Sequence, residues 1–319
     1  FFGSFIDSPN LLDNGTAAYR TAFDGLGTTA VQAPLTANNN DFLMIGASVL
    51  AQEGVTPVGT GAAAWDNFVA NSLYVSSDGT KWLAQGDDES ATTADAVLVY
   101  NGEVVLREGQ TINTTPSGIA SSTIPDDAFL SHNGNHWIAN GSLTGTPAAD
   151  VKDFVIVNGQ VVAETDSDIT PNNPSDTPEN WDDTITVSTT FFQLAINGNG
   201  DYIISGVTNN ANALTNVVVV LNGEQVLVRE GDMVDINEDG ILNDDAFVSI
   251  FSDNDHYLSD DGTYYFVAEL KNGAGAFLGE AFLVIGGDVP SNCASDFNGD
   301  TFVDDSDFVT FAGAYEAFT

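Results

Sequence analysis

The stretch DAVLVYNGEVVLREG, from Asp95 to Gly109, carries the pattern that most clearly indicates the fold. It contains a short apolar run, Val97 to Tyr100, then an Asn-Gly pair and a second short apolar run. Asn-Gly accepts positive φ at both centres of a type I′ turn, whose twist matches that of the flanking strands. The first run is apolar at consecutive positions, which indicates a strand buried on both faces. The stretch therefore predicts a β-hairpin whose first strand lies inside the protein.

The same pattern recurs along the chain. Two copies are close and two are looser: DFVIVNGQVVAETD from Asp153, NVVVVLNGEQVLVREG from Asn216, DFLMIGASVLAQEG from Asp41 and EAFLVIGGDVP from Glu280. Each is preceded by another apolar segment, an Asn-Gly or Asp-Gly type turn and an aromatic-rich segment. These five segments read LLDNGTAAYRTAF from Leu11, LYVSSDGTKWLAQG from Leu73, FLSHNGNHWIANG from Phe129, LAINGNGDYIISG from Leu194 and YLSDDGTYYFVAEL from Tyr257. Each repeat is therefore two hairpins, with a type I′ turn expected in both.

Five four-stranded repeats of about 60 residues predict an all-β fold, best explained by a five-bladed β-propeller. Radial packing of blade on blade protects strand edges. A stack of meanders or a β-sandwich is the alternative, and the pattern leaves closure of the ring open. We assign residues 1–290 to this repeat domain and residues 291–319 to a separate C-terminal segment. Insertions fall between repeats, at Thr165–Asp183 and Asp232–Asp245.

The charge is strongly one-sided. The chain has 46 Asp and Glu against 6 Lys and Arg, a formal net charge of −40, yet 43% of its residues are hydrophobic. The apolar content indicates a packed core rather than disorder. Nucleic acid and anionic membranes are poor partners because six cations cannot form a basic patch. No apolar run approaches the roughly 20 residues that span a bilayer, so we expect no membrane insertion. The acids serve either as a solvated surface or, in part, as cation sites.

Several features favour a secreted, surface-located protein. The chain starts at Phe1 without Met, as a processed N-terminus would. Cys293 is the only cysteine, which leaves a free thiol and an intermolecular disulfide both open. Sequons at Asn14, Asn113 and Asn140 are compatible with glycosylation.

The C-terminal run DFNGDTFVDDSDF carries the clearest metal-binding pattern. Calcium takes six to eight oxygen ligands, and a short loop wraps the ion when alternate residues converge on it. Loop positions 1, 3, 5, 7, 9 and 12 are occupied by Asp296, Asn298, Asp300, Phe302 through its carbonyl, Asp304 and Asp307. Phe308, Phe311 and Tyr315 follow at helical intervals. The segment therefore predicts an EF-hand-like calcium loop followed by a helix.

This segment resembles the calcium loop and helix of type I dockerins, especially the dockerin-like tails of secreted planctomycete proteins. The resemblance implies calcium binding and a role in anchoring. Two departures matter: Thr301 stands where the sharp turn normally has Gly, and one loop is present where dockerins have two. A cohesin partner is therefore not implied.

A second candidate loop, DINEDGILN from Asp235, lies in the insertion between the fourth and fifth repeats. Its predicted calcium ligands are Asp235, Asn237, Asp239, Ile241 and Asn243, with Asp244 or Asp245 as a further ligand because position 12 is Ala246. The loop is similar to the nine-residue calcium loops between strands in the β-propellers of integrin α subunits.

No catalytic motif is apparent, and we expect the protein not to be an enzyme. The sequence has no G-x-S-x-G, P-loop or dinucleotide-binding pattern. His132 and His136 flank a turn rather than sharing a helix face, so a zinc pair is disfavoured. Carboxylate pairs of a glycosidase stay open, because spacing in space rather than sequence defines them. The repeated Arg-Glu-Gly at Arg107 and Arg229 is best explained by hairpin-end ion pairs, and the four Trp by core packing.

These features favour an extracellular, calcium-stabilised structural or adhesive protein, a self-assembling subunit of a surface or filamentous structure. Its partners are then copies of itself or another surface protein. The apolar N-terminal arm, Phe1 to Ile6, either adds a strand to a neighbour's sheet or closes a blade of its own chain. A carbohydrate-binding or glycoside-cleaving propeller, with glycans as ligands, is the alternative.

Chelation of calcium by EDTA should lower the melting temperature, because a ligand that binds only the native state stabilises it. The measurement is a thermal unfolding curve with and without EDTA. An unchanged curve would remove calcium from this account.

Overall fold

A computed structural model describes residues 6–22, 40–55, 63–114, 118–121, 125–144, 152–173, 179–182, 190–237 and 241–286. All regular structure in these residues is β, which confirms the predicted fold class. The described part contains no helix long and apolar enough to cross a membrane.

The strands form five antiparallel sheets in chain order, numbered here sheet 1 to sheet 5. Sheet 1 contains β1 (Ile6–Leu11), β2 (Ala17–Ala22), β3 (Asp41–Ile45) and β4 (Ser48–Gln52). Sheet 2 contains β5 (Trp65–Val75), β6 (Trp82–Asp88), β7 (Ala96–Tyr100) and β8 (Glu103–Arg107). Sheet 3 contains β9 (Thr111–Ile112), β10 (Gly118–Ala120), β11 (Ala128–Leu130), β12 (Trp137–Thr144), β13 (Lys152–Val157) and β14 (Gln160–Glu164). Sheet 4 contains β15 (Phe191–Ile196), β16 (Tyr202–Val207), β17 (Val217–Leu221) and β18 (Gln225–Arg229). Sheet 5 contains β19 (Phe247–Leu258), β20 (Tyr264–Lys271) and β21 (Phe277–Ile285).

Sheets 1, 2 and 4 are the predicted four-stranded meanders, and the other two depart from the repeat. Sheet 3 gains two short strands, β9 and β10, from the chain that joins it to sheet 2. Sheet 5 has three strands among the described residues, since β21 takes the place of a third strand and residues 287–319 lie outside the description. Ile6, placed by the sequence in a separate arm, belongs to β1; Phe1 to Phe5 lie outside the described residues.

The second hairpins of sheets 2, 3 and 4 close with the predicted turn. Both central residues have positive φ in each: Asn101 and Gly102 (51° and 85°), Asn158 and Gly159 (48° and 88°), Asn222 and Gly223 (55° and 62°). The Asn side chain has a further role, because its Oδ1 accepts the backbone N–H of the first residue of the neighbouring strand. At Asn158 this donor is Trp137, at 2.9 Å. The same bond recurs at Asn101 and Asn222.

The first hairpins close differently, so the expectation of a type I′ turn there is wrong. Only the Gly of each Asn-Gly or Asp-Gly pair has positive φ, as at Gly134 (71°). In sheet 3, Asn133 uses its side chain instead, accepting bonds from the N–H of Asn135 and the hydroxyl of Ser131. These contacts stabilise a longer turn in which Ser131 and His136 pair across its base. Side-chain capping has therefore outweighed the two-residue turn that the dipeptide favours.

Four hydrophobic clusters join consecutive sheets. One cluster packs Leu43 of sheet 1 on Trp65 and Phe68 of sheet 2, and equivalent clusters join sheets 2 and 3, 3 and 4, and 4 and 5. The middle strands are buried on both faces, as Val218, Val219 and Val220 show with exposures of 0–1%. Face-to-face packing of successive meanders gives the propeller-like arrangement that the repeat predicts.

The first-hairpin turns of successive sheets also meet, tip to tip. The amide of Asp13 donates to Ser77 O, and the amide of Ser77 donates to His132 O. Asn133 then donates to Gly198 O, and the amide of Gly198 donates to Asp260 Oδ1 at 2.7 Å. This series links the turns of sheets 1 to 5 in order and places them together at one end of the molecule.

Replacement of Asn158 separates the two roles of the turn Asn. Asn158→Gly keeps the positive φ and removes the bond to the Trp137 amide, so it should cost about 1 kcal/mol. Asn158→Ala also forces an alanine into the left-handed region, which adds about 1 kcal/mol or more. Denaturant unfolding measures both, with the exposed Gln160→Ala as a near-neutral control. Equal losses for the two Asn158 variants would show that φ is not what selects Asn here.

Candidate metal loop and carboxylate clusters

The predicted C-terminal calcium loop, Asp296 to Asp307, and Cys293 lie outside the described residues. Their assignments to calcium and to a thiol or disulfide therefore stay predictions. The same holds for Asp239, one of the predicted ligands of the second loop.

The second loop leaves β18 and returns to β19. Its base is closed by the bond from the Val234 amide to Ala246 O, at 2.9 Å. Near its middle, the carboxylate of Asp244 accepts the backbone amides of Ile236 and Asn237, at 2.8 and 3.0 Å, and the Asn237 side-chain amide at 2.7 Å. The loop is therefore held together by a carboxylate in the role of a backbone cap.

The two acids named as additional ligands have different surroundings. Asp244 faces the loop interior, next to Asn237, whereas Asp245 Oδ1 accepts the Gly273 amide from the β20–β21 turn at 2.8 Å. Asp235, Asn237, Ile241 and Asn243 supply carboxylate, amide and backbone oxygens, a donor set of the kind calcium prefers. The described residues alone do not form a group of three or more acidic, His or Cys side chains able to hold a metal. Asp244 already accepts three hydrogen bonds within the loop, and its role as a calcium ligand, like that of the other residues of this loop, stays a prediction.

The repeated arginines form the predicted hairpin-end ion pairs, although not with the neighbouring Glu of the motif. Arg107 Nη2 lies 2.7 Å from Asp88 Oδ2, and Arg229 Nη2 lies 2.6 Å from Glu179 Oε2. Arg20, in the second strand of sheet 1, makes a different pair, with Asp41 at 2.7 Å. Burial raises the pKa of Asp88, but hydrogen bonds from Arg107, Ser90 and backbone amides lower it by more, so the net shift is downward. The pairs of Arg107 and Arg229 fasten the ends of the second hairpins of sheets 2 and 4.

The motif Glu has another environment, as Glu108 illustrates. Its side chain is 9% exposed, and its Oε2 has no hydrogen-bond partner within the described part of the chain. Burial raises its pKa, and the neighbouring carboxyl of Asp95 raises it further. Burial likewise raises the pKa of the equivalent Glu53 and Glu230. The Glu residues at the ends of these second hairpins therefore bind a proton at higher pH than an exposed Glu does.

A second carboxylate cluster lies in sheet 3. Asp153 is 4% exposed and accepts bonds from the Ser142 hydroxyl at 2.6 Å and the Thr190 amide at 2.7 Å. Burial, with the nearby carboxylates of Asp153 and Asp127, raises the pKa of Asp126 to about 7. Asp126 Oδ2 is a buried atom without a hydrogen-bond partner among the described residues. Asp126 is thus an acid whose protonation changes near neutral pH.

Sequence reasoning did not single out Asp126 among 46 acids, and it noted Glu108 only as part of the repeated Arg-Glu-Gly, without its burial. For Glu108 a signal existed, since the same Glu recurs at the ends of the second hairpins. For Asp126 none did, because its partner Asp153 is 27 residues away and the two meet only through the pairing of β12 with β13.

The histidines and tryptophans have mainly structural surroundings. His132 Nε2 lies 3.4 Å from Asp260 Oδ2 between the hairpin tips, and His256 donates to Leu194 O at 2.9 Å. Neither shares a site with His136, whose ring contacts Asn158. Trp65, Trp137 and Trp181 are buried as expected, at 1–5% exposure. The fourth, Trp82, is half-buried.

These features define an acidic all-β protein of five propeller-like sheets. No protein-family model matches the chain. No curated protein matches it either. Solved structures that match over most of the chain include a eukaryotic initiation factor (10% identity, 87% of this chain, 55% of that one, TM-score 0.32). Others are hydrazine synthase of Kuenenia stuttgartiensis (12%, 83%, 63%, 0.33) and prolyl oligopeptidase B of Galerina marginata (14%, 86%, 35%, 0.34).

The chain spans less than two thirds of the length of each of these proteins. At such TM-scores the likeness supports no argument about function. The description of the fold rests on the strand pairing and sheet packing given above.

Asp126 predicts a pH dependence of stability. Its pKa of about 7 in the native state exceeds the ordinary unfolded value of about 3.9, so the native state binds the extra proton between these values. The stabilisation is complete below about pH 4 and is lost as pH rises through about 7.

Asp126→Asn should therefore raise the melting temperature more at pH 8 than at pH 5. The exposed Glu103→Gln removes one negative charge elsewhere and should shift the melting temperature similarly at both pH values. A gain for Asp126→Asn that is the same at pH 5 and pH 8 would contradict the assignment.

Proposed function

We propose that the protein is an extracellular, calcium-stabilised structural or adhesive protein that assembles with copies of itself or with another surface protein. The observation that carries the proposal is the exposure of β21, the last described strand of sheet 5. Phe277 and Phe282 are 65% and 67% exposed on it, and Leu278 and Val284 are about half exposed. A nine-residue apolar strand at a sheet edge is a site for association with another chain.

The composition of β21 supports this interpretation. Edge strands are normally protected by Lys, Pro or shortness, and β21 has none of these protections; Glu280 is its one charged residue. Among the described residues no fourth strand covers its outer edge, whereas sheets 1, 2 and 4 each end in a shorter strand of five residues. The exposed edge is therefore better suited to pairing than to solvent.

Charge makes assembly depend on cations. Copies that each carry a net charge of −40 repel one another, and salt or bound divalent ions weaken that repulsion. The two predicted calcium loops would hold ions with Asp235 and Asn237 in one, and with the C-terminal acids in the other. Calcium thus both stabilises the fold and permits the approach of further copies in this proposal.

A second function is favoured by one specific observation. Tyr257, Tyr265 and Phe282 form a row across sheet 5, with ring centroids 6.3 and 6.0 Å apart, and Tyr257 is 54% exposed. Exposed aromatic rings can stack on sugar rings, so a carbohydrate-binding surface is the alternative. Glycan-array binding that Tyr257→Ala abolishes, in a protein that stays monomeric, would favour this alternative over assembly.

Self-association tests the main proposal. Light scattering after size exclusion should give masses above the 33.5 kDa monomer in millimolar calcium and a return to monomer in EDTA at low salt. Magnesium at equal ionic strength controls for screening alone. Monomers at all protein, salt and calcium concentrations would contradict the proposal.

A further inference from the structure

Each sheet packs on its neighbours through two distinct faces. We call the face that packs on the following sheet the leading face, and the one that packs on the preceding sheet the trailing face. The leading face carries Leu98 and Leu83 in sheet 2, and the trailing face carries Val99 and Ala84. The second and third strands pair in the same register in all five sheets, so each position on these two strands can be compared from sheet to sheet.

One position on the leading face is buried in sheets 1 to 4 and exposed in sheet 5. In each sheet, one residue of the third strand pairs with the fourth residue of the second strand. In sheets 1 to 4 these residues are Leu43, Leu98, Val155 and Val219, each at most 1% exposed because the next sheet covers them. In sheet 5 the counterpart is Phe282, which is 67% exposed.

Other apolar residues of the leading face of sheet 5 are also exposed, on a face that carries Glu269 and Glu280 as well. Ile250 and Tyr257 of β19 are 56% and 54% exposed, and Val284 is 46% exposed. Tyr265, half-buried here, corresponds to Leu83, Ile138 and Ile203, which are fully buried in sheets 2 to 4. This face therefore has apolar residues like those of an internal interface, and within the described ranges no following sheet packs on it.

Sheet 1 has the complementary deficiency on its trailing face. Leu11 pairs with the first residue of β2, and its counterparts in sheets 4 and 5, Ile196 and Leu258, are 8% and 2% exposed. Leu11 itself is 78% exposed, and Val49 on the same face is 53% exposed. Phe42 and Met44, in the middle of this face, are buried, so the open part is the flank that contains Leu11 and Val49.

These two faces do not meet within the described chain. The four hydrophobic clusters join sheets 1 to 5 in series, and among the described residues none joins sheet 5 to sheet 1. We propose that the leading face of sheet 5 in one copy packs on the trailing face of sheet 1 in the next copy. This contact rests on the proposed function and specifies the interface of the assembly.

The proposed contact continues an interface that the chain already makes four times. A leading face fits a trailing face in every internal pair, so the partner of Phe282 is a first sheet rather than another fifth sheet. Since the two faces differ, the contact is heterologous and extends from copy to copy into a filament or larger ring. Ile250, Tyr257 and Phe282 supply the apolar part of this contact. Glu269 and Glu280, which pair with each other beside Ile250, add carboxylates whose repulsion between two acidic copies salt or calcium must screen.

Two single-face variants test the interface. Phe282→Gln impairs the leading face and Leu11→Gln the trailing face, without adding charge. Each should weaken self-association in calcium more than tenfold, because both faces are needed for chain growth. Leu214→Gln, at an equally exposed loop position on neither face, should assemble like the wild type. Melting curves establish that each variant is folded.

The decisive step is mixing the two face variants. Each has one intact face, so an equimolar mixture should form one-to-one dimers, measured by light scattering, that do not grow further. If Leu11→Gln alone still assembles, sheet 5 pairs with itself and the proposal is overturned. If both variants are destabilised and their mixture stays monomeric, the two faces close a ring within one chain, which also overturns it.

The wild-type result separates this interface from the proposed function. Wild-type assembly that neither variant weakens would refute the interface and leave self-assembly standing. A wild type that never assembles would refute both.

Discussion

The architecture depends on the burial of one apolar sheet face against another. Hydrogen bonds at the hairpin tips and elsewhere join neighbouring meanders, and the packing of leading on trailing faces buries the apolar side chains between them. Burial contributes roughly 25 cal/mol for each Å² of apolar surface removed from water. The middle strand of each meander, such as β17, serves both of its faces at once, which explains its unbroken run of valines.

The same constraint explains how much the sequence could predict. Consecutive apolar residues bounded by Asn-Gly specified the second hairpins, because burial on both faces and a two-residue turn each leave a local signature. The first hairpins were assigned correctly as hairpins but with the wrong turn, since the capping bonds of Asn133 depend on neighbours that the dipeptide does not encode. The fourth strand that EAFLVIGGDVP predicts for sheet 5 would follow Gly286, outside the described residues, so it stays a prediction.

The sites divide in the same way. Sequence spacing alone identified Asp235, Asn237 and Asn243 as parts of one loop. The structure shows that Asp244 holds this loop together by accepting hydrogen bonds from Ile236 and Asn237. Sequence reasoning did not find Asp126, and it found Glu108 only as part of a repeated motif, because their altered protonation comes from burial and from acids brought close by folding. The composition shows that the acids outnumber the Lys and Arg residues. Which of the acids are buried can be learned only from the fold.

The interface that the chain uses four times internally leaves apolar residues exposed in the first and the last sheet of the described chain, at Leu11 and Phe282. Electron cryo-microscopy of the protein assembled in calcium is the most direct measurement. The account predicts that Phe282 of each copy packs on the first sheet of a neighbouring copy, near Leu11. A map in which Phe282 packs on the first sheet of its own chain, or stays in solvent within the assembly, would contradict it.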